Sequence, residues 1–262
     1  MAIERGTEVQ KVEDIAYVPG HGFRGLGDLY LPDEADGAPA ALVIHGGGWN
    51  AMDKQGLAGV AQFLAETGYG AYAINYRLLD DAPWPACGDD CLTAAGFLLA
   101  GGHEAMKPLD RSRLVVIGGS AGGHLAMMTG LRLPPIKVRC IVSIAGPADL
   151  KTQTAGWDAT FLTKFFGPDV EITDETMLAA SPVQYVRADS PPLLCTNSTN
   201  DKLVPIAQSH AMVERYRQNG GRAELYAYPG PGEQHGIWIE GSDPHRLLPE
   251  LEQVIEEFLQ TI

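Results

Sequence analysis

Short apolar runs alternate with longer amphipathic stretches along this chain. AALVIH (40–45), GAYAINY (70–76), RLVVIG (113–118), RCIVSIAG (139–146) and PPLLCTN (191–197) are brief, rich in β-branched or small residues, and apolar at odd and even positions alike. That pattern marks strands covered on both faces. Elsewhere apolar residues return every three or four positions, which predicts helices over roughly 55–67, 86–101, 121–131, 205–219 and 245–260, the last reading LLPELEQVIEEFL. Strand and helix in alternation build a mostly parallel sheet flanked by helices, an α/β fold. DIAYV (14–18) and GDLYLP (27–32) precede the first crossover and are expected to pair antiparallel at one edge, and AELYAYP (223–229) supplies the last of eight strands.

The 262 residues carry no internal repeat and no low-complexity linker, so one domain over 1–262 is expected. One long interruption, about 150–190, falls between two strands and holds Trp157, Phe161, Phe165 and Phe166 among polar residues. It is expected to form a small lid beside the carboxyl ends of the strands, where ligands bind in open α/β sheets. Its aromatics either wall a pocket or make a small satellite core.

Charge narrows the partners. With 19 basic against 33 acidic residues, the formal charge is −14. Nucleic acid and anionic membranes are repelled, so a neutral or weakly charged small-molecule or carbohydrate substrate fits better. MAIERGTEVQKVEDIAYV lacks the apolar core of a secretory signal, and Cys87, Cys91, Cys140 and Cys195 are too scattered for a disulfide framework; a reducing cytoplasm is the expected setting. Cys87 and Cys91 stand four apart, yet no second Cys or His pair has ligand spacing, so they read as packing residues and no metal or cofactor is expected.

The chemistry gathers at VVIGGSAGGHLAMMTG (115–130), where Gly118-Gly119-Ser120-Ala121-Gly122 sits between a strand and a helix. This is the context of a nucleophile elbow, G-x-S-x-G, rather than of an incidental glycine-rich turn. A serine hydroxyl needs a base, and in this arrangement the acid and the histidine follow it in the chain. Asp201 lies in a turn-rich loop just after PPLLCTN, and His235 lies in YPGPGEQHGIW, directly after the last strand. His245 is a weaker candidate base, His210 and His124 fall inside helices where they orient backbone or pack, and Asp149 anchors the insertion. The expected triad is therefore Ser120, Asp201 and His235.

VIHGGGWN follows AALVIH and supplies backbone donors for a developing oxyanion. The amides of Gly47, Gly48 and Ala121 are the expected donors. His45 braces this loop rather than reacts, and Trp49 packs behind it or walls the pocket. Trp49, Trp157 and Phe161 are the candidate substrate contacts.

HGGGW, GGSAGGHLA, SPVQYV, SPPLL and NDKLVP together resemble the α/β-hydrolase superfamily, within it the HGGG-type esterases of the bacterial feruloyl and acetyl-xylan esterase branch. The resemblance implies the same triad, a serine esterase acting through an acyl-enzyme, and acetyl or feruloyl esters as substrates. Two segments depart from the branch: TNSTND stands where HGxxD is usual, and GPGEQHG replaces a compact GxxHG. HGGGWNAMDK is also similar to the loop of kynurenine formamidases, which apply the same triad to an aryl formamide; Gly48 and Gly119 follow the esterase branch.

Overall fold

A computed structural model describes residues 8–153, 156–229, 235 and 246–262. Eight strands form one sheet in the order β1-β2-β4-β3-β5-β6-β7-β8. They are β1 (Gln10–Ala16), β2 (Leu26–Leu31), β3 (Pro39–Ile44), β4 (Gly70–Ile74), β5 (Asp110–Gly119), β6 (Val138–Ile144), β7 (Leu193–Ser198) and β8 (Ala223–Tyr228). β1, β2 and β4 pair antiparallel, and every pairing from β4 through β8 is parallel. The helices are α1 (Ala58–Glu66), α2 (Ala86–Ala100), α3 (Ala121–Arg132), α4 (Ala159–Phe166), α5 (Asp174–Ala179), α6 (Ala207–Gln218) and α7 (Pro249–Leu259).

Alternate residues of each central strand enter opposite core layers, as a period of two demands. Leu42, Ile44, Leu114, Val116 and Ile141 pack with α2, α3 and α6, while Ala41, Val43, Val115, Ile117 and Val142 pack with α1 and α7. Helices thus cover both faces of the sheet, which is why these strands read as continuous apolar runs. Parallel register brings Ile44 beside Gly118, Gly118 beside Ser143 and Ile144 beside Thr196. The carboxyl ends of β3, β5, β6 and β7 therefore finish level, and the loops that leave them converge.

The edge strand departs from expectation. β1 begins four residues earlier than DIAYV and ends at Ala16, because Tyr17 and Val18 turn away to donate to the carbonyl of Gly25. A bulge between Val12 and Ile15 puts Asp14 at φ +55°, where its amide donates to Asp28. Only Ile15 of β1 is buried, so the strand had no apolar alternation to announce it. Between β6 and β7 the chain forms α4 and α5, two short helices. Asp158 caps α4 by accepting from the Phe161 amide, and Thr173 with Thr176 closes a reciprocal cap on α5.

Candidate active site

Ser120 joins β5 to α3 in a left-handed conformation, φ +56° and ψ −123°, that few non-glycine residues adopt. Its amide donates to the Ile144 carbonyl at 2.8 Å, and its own carbonyl accepts from Gly123 and His124. The turn is this sharp because its neighbours have no side chains. A Cβ on Gly118 would lie 2.1 Å from the carbonyl oxygen of Gly122, and one on Gly122 would lie 2.0 Å from that of Ile44 and 2.4 Å from that of His45. Ala121 opens α3, where the first amides have no intrahelical acceptor and the helix end is electropositive.

The loop after β3 lies against this elbow: a Cβ on Gly46 would stand 2.8 Å from the Gly119 carbonyl oxygen. Gly47, Gly48 and Trp49 follow with φ of +96°, +60° and +57°, and the Gly47 carbonyl accepts from the amides of Asn50 and Ala51. Three successive residues at positive φ make a turn that ordinary side chains would strain. His45 braces this loop. Its ring stacks on Tyr76 with centroids 4.2 Å apart, the Tyr76 hydroxyl donates to the carbonyls of His45 and Gly46, and burial pushes its pKa down to about 4.

Asp201 follows β7 and is almost wholly buried. One carboxylate oxygen accepts from the amides of Leu203 and Val204, each at 2.9 Å, and the other accepts from Nδ1 of His235 at 2.5 Å. This pairing fixes the His235 tautomer and leaves Nε2, a buried atom with no partner among the described residues, as the outward nitrogen. The residues on either side of His235 and all of His245 lie outside the described residues. Asn197, which sequence reasoning passed over, stands behind the acid: its amide donates to Asp201 at 3.4 Å and to the Val204 carbonyl at 3.3 Å, and its oxygen accepts from Ser209. The only sequence signal was negative, the asparagine of TNSTND at the usual histidine position.

A cavity of about 120 Å³ opens over Ser120, lined by Gly48, Trp49, Ala121, Gln153, Trp157, Phe161, Leu203 and neighbouring residues. Its walls are apolar apart from Ser120 and Gln153, whose amide donates to the Leu203 carbonyl at 2.7 Å. The insertion's aromatics do not share one environment, and the buried ones join the main core rather than a satellite core. Trp157 and Phe161 line the cavity, whereas Phe165 and Phe166 are core residues, Phe165 stacked on Trp84 with centroids 5.7 Å apart. Asp149 caps the turn into the insertion by accepting from the Lys151 amide, and its own amide donates to Gln208. His210 is exposed on α6, and His124 is buried between Trp49 and Ala180.

All four cysteines are buried and unpaired, and burial holds the Cys87 thiol at about 12, protonated and inert. Among the described residues no three His, Cys, Asp or Glu side chains group as a metal site, and no helix is long and apolar enough to cross a membrane.

The BD-FAE family model matches residues 27–216, most of the sheet and both motif loops. The chain belongs to the BD-FAE family. Among relatives by sequence, the probable carboxylic ester hydrolase LipM of Mycobacterium tuberculosis is 30% identical over 221 residues, 78% of this chain and 51% of LipM. This BD-FAE chain thus spans about half the length of the curated relative it matches. Two solved structures share its α/β-hydrolase fold. A truncated carbohydrate esterase from gut microbiota superposes with a TM-score of 0.82 at 22% identity, covering 99% of this chain and 98% of that one. An acetyl ester-xyloside bifunctional hydrolase from Caldicellulosiruptor lactoaceticus gives 0.74 at 22% identity, covering 93% and 90%.

Proposed function

We infer that this BD-FAE chain is a serine carboxylesterase that hydrolyses small or carbohydrate-linked carboxylic esters of acetyl or feruloyl type. The observation that carries the reading is the pair made by His235 Nδ1 and Asp201, an acid held by the amides of Leu203 and Val204, two residues that line the same cavity as Ser120. In this reading the Ser120 oxygen attacks the ester carbonyl carbon as its proton passes to His235 Nε2. Asp201 holds the ring and stabilises the imidazolium. The oxyanion is received by the amides of Gly47, Gly48 and Ala121, donors of a kind whose individual removal costs about 3 kcal/mol. The tetrahedral intermediate collapses, the alkoxide leaves with the proton from His235, and water repeats the sequence on acyl-Ser120. The names of LipM and of the two carbohydrate-directed neighbours support ester bonds, and the apolar cavity wall supports an acyl group without charge.

The test is a fluorophosphonate probe with peptide mapping, followed by a panel of p-nitrophenyl esters of rising length, methyl ferulate, acetylated xylan and N-formylkynurenine. Labelling at Ser120 and turnover of the esters are expected. A folded protein that neither labels nor turns over any ester overturns the reading, and preference for N-formylkynurenine moves it to the formamide.

A further inference from the structure

His124 lies one turn into α3, four residues after the serine, fully buried and outside the triad. Its two ring nitrogens have different partners. The indole N–H of Trp49 donates to Nδ1 at 3.3 Å, and Nε2 lies 2.8 Å from the carbonyl oxygen of Ala180. An indole nitrogen only donates and a carbonyl only accepts, so the ring is the neutral tautomer with its hydrogen on Nε2. Burial holds His124 down to about 4, which keeps Nδ1 an acceptor at neutral pH.

Three parts of the molecule meet through this ring. Trp49 ends the left-handed turn of Gly47 and Gly48, His124 belongs to the elbow helix, and Ala180 closes α5 of the insertion. Trp49 is the turn's residue with a Cβ, held at φ +57°, a conformation that persists only when its surroundings over-determine it. Aromatic edges at 5.2 Å from His124 and from Phe165 fix where the indole sits, and the hydrogen bond fixes its rotation.

We propose that His124 is a positioning residue for ester hydrolysis at Ser120: through Trp49 it sets the turn whose Gly47 and Gly48 amides receive the oxyanion, and through Ala180 it ties that turn to the insertion. The role rests on the serine esterase reading, and the ring touches no reacting atom.

Side-chain stereochemistry separates the two bonds. Asparagine places Oδ1 where histidine has Nδ1, and glutamine places Nε2 where histidine has Nε2. His124→Gln therefore keeps the Ala180 contact and loses the acceptor for Trp49; kcat on p-nitrophenyl acetate is expected to fall about 10- to 100-fold with KM within about twofold, the scale of a misplaced oxyanion donor. His124→Asn restores the acceptor and is expected to return kcat to within about threefold of the parent protein, against that same scale. From the donor side, Trp49→Phe should lower kcat as His124→Gln does, and the two together no more than either alone. Hydrogen exchange of the Trp49 indole and of the amides of residues 47–50, measured in a Ser120→Ala background, should accelerate with His124→Gln and not with His124→Asn. Turnover surviving in Ser120→Ala overturns the reading of the site. Unmoved exchange over 47–50 in His124→Gln, or equal kcat in the Gln and Asn variants, overturns the role of His124.

Discussion

Residues 44–49 and 118–123 reach the cavity through backbone sterics, whereas residues 156–166 reach it through side-chain packing. In the first region a single added methyl meets a carbonyl oxygen at 2.0 to 2.2 Å at Gly122, Gly118 and Gly47. In the second, α4 turns Phe165 and Phe166 into the core, while Phe161 and, before the helix, Trp157 line the cavity. Backbone contacts of this closeness admit one residue type, while an aromatic wall admits many. The first region can therefore hold a reaction geometry constant while the second is free to change what it accepts. The two are fastened to each other by Lys164, which pairs with Asp80 at 2.7 Å and donates to Asn50 just past the glycine turn.

The sharpest break of this contrast lies within the elbow itself. Ser120→Ala removes one oxygen at a position whose φ of +56° the parent serine already bears, so the fold and its thermal midpoint should be retained. Turnover should drop by at least about 10³-fold. Gly122→Ala two residues on should do the reverse of a clean lesion, because the new Cβ meets the carbonyl of Ile44, held by strand pairing, and that of His45, held by the Tyr76 hydroxyl. Loss of soluble protein or of several degrees of thermal midpoint is expected, read by calorimetry. A folded, fully active Gly122→Ala would show that the elbow is not held by backbone contact.

Next in size, Asp201→Asn keeps the shape of the acid loop, though not the charge opposite His235. A fall in kcat of about 10²- to 10⁴-fold is expected, because an amide can present the wrong hydrogen to Nδ1. The Leu203 and Val204 amides still find an oxygen, so stability should change little. If stability collapses while the residual folded fraction turns over normally, Asp201 is a loop brace only.

Phe165→Ala addresses the packing region. Phe165 is fully buried against Trp49, Trp84 and Phe166, so truncation should cost about 3–5 kcal/mol of stability and lower kcat/KM on every ester by the same factor. Unequal losses would place Phe165 with the cavity wall.

Much of this organisation was legible beforehand, for reasons that differ by element. β3 to β7 announced themselves because both faces are covered, and the elbow and glycine turn because only glycine satisfies their backbone. β1 was misplaced by four residues at its start, since an edge strand with one buried side chain and a bulge at Asp14 shows no period. The split of the aromatics between wall and core was undecidable from spacing: Trp157, Phe161 and Phe165 stand four apart and read as one face, and it is Trp84, from a distant segment, that covers Phe165. The role of Asn197 left only the negative signal of TNSTND, and the partners of His124 left none, because groups from distant segments supply the contacts.

A smaller effect joins the two regions through pH. His45 braces the glycine turn and His124 holds its junction with the insertion, and burial lowers both from 6.5 to about 4. A depressed histidine pKa means that the unfolded chain binds protons which the native protein refuses. The stability both neutral rings contribute is therefore complete above pH 6.5 and is lost as pH falls towards 4. Thermal midpoints should decline across that window, and His124→Asn, with one such group removed, should decline less steeply. An unchanged slope would mean that His124 is already protonated in the fold.

The smallest effect is the most informative about substrate choice. If Trp157 and Phe161 wall the acyl site, their truncation changes the difference between transition states rather than the reaction itself. Trp157→Ala and Phe161→Ala should then alter the ratio of kcat/KM between acetyl and bulky aromatic esters by about 10-fold, the value of a contact worth about 1–3 kcal/mol. The two changes need not agree in direction, because Trp157 stands edge-on to Trp49 at 5.6 Å while Phe161 is tilted against it at 6.3 Å. Removing Trp157 opens the cavity towards the glycine turn, which should favour the bulkier ester. Removing Phe161, which lies beside Trp157 at 5.0 Å, takes away the flat surface against which an aromatic acyl group would lie, and should penalise it. Melting curves of both variants separate this from simple loosening. Equal losses on every ester, with the preference order intact and the midpoint lowered as in Phe165→Ala, would make the half-buried aromatics part of the same packed cover and leave the cavity's selectivity to Gln153 and Leu203.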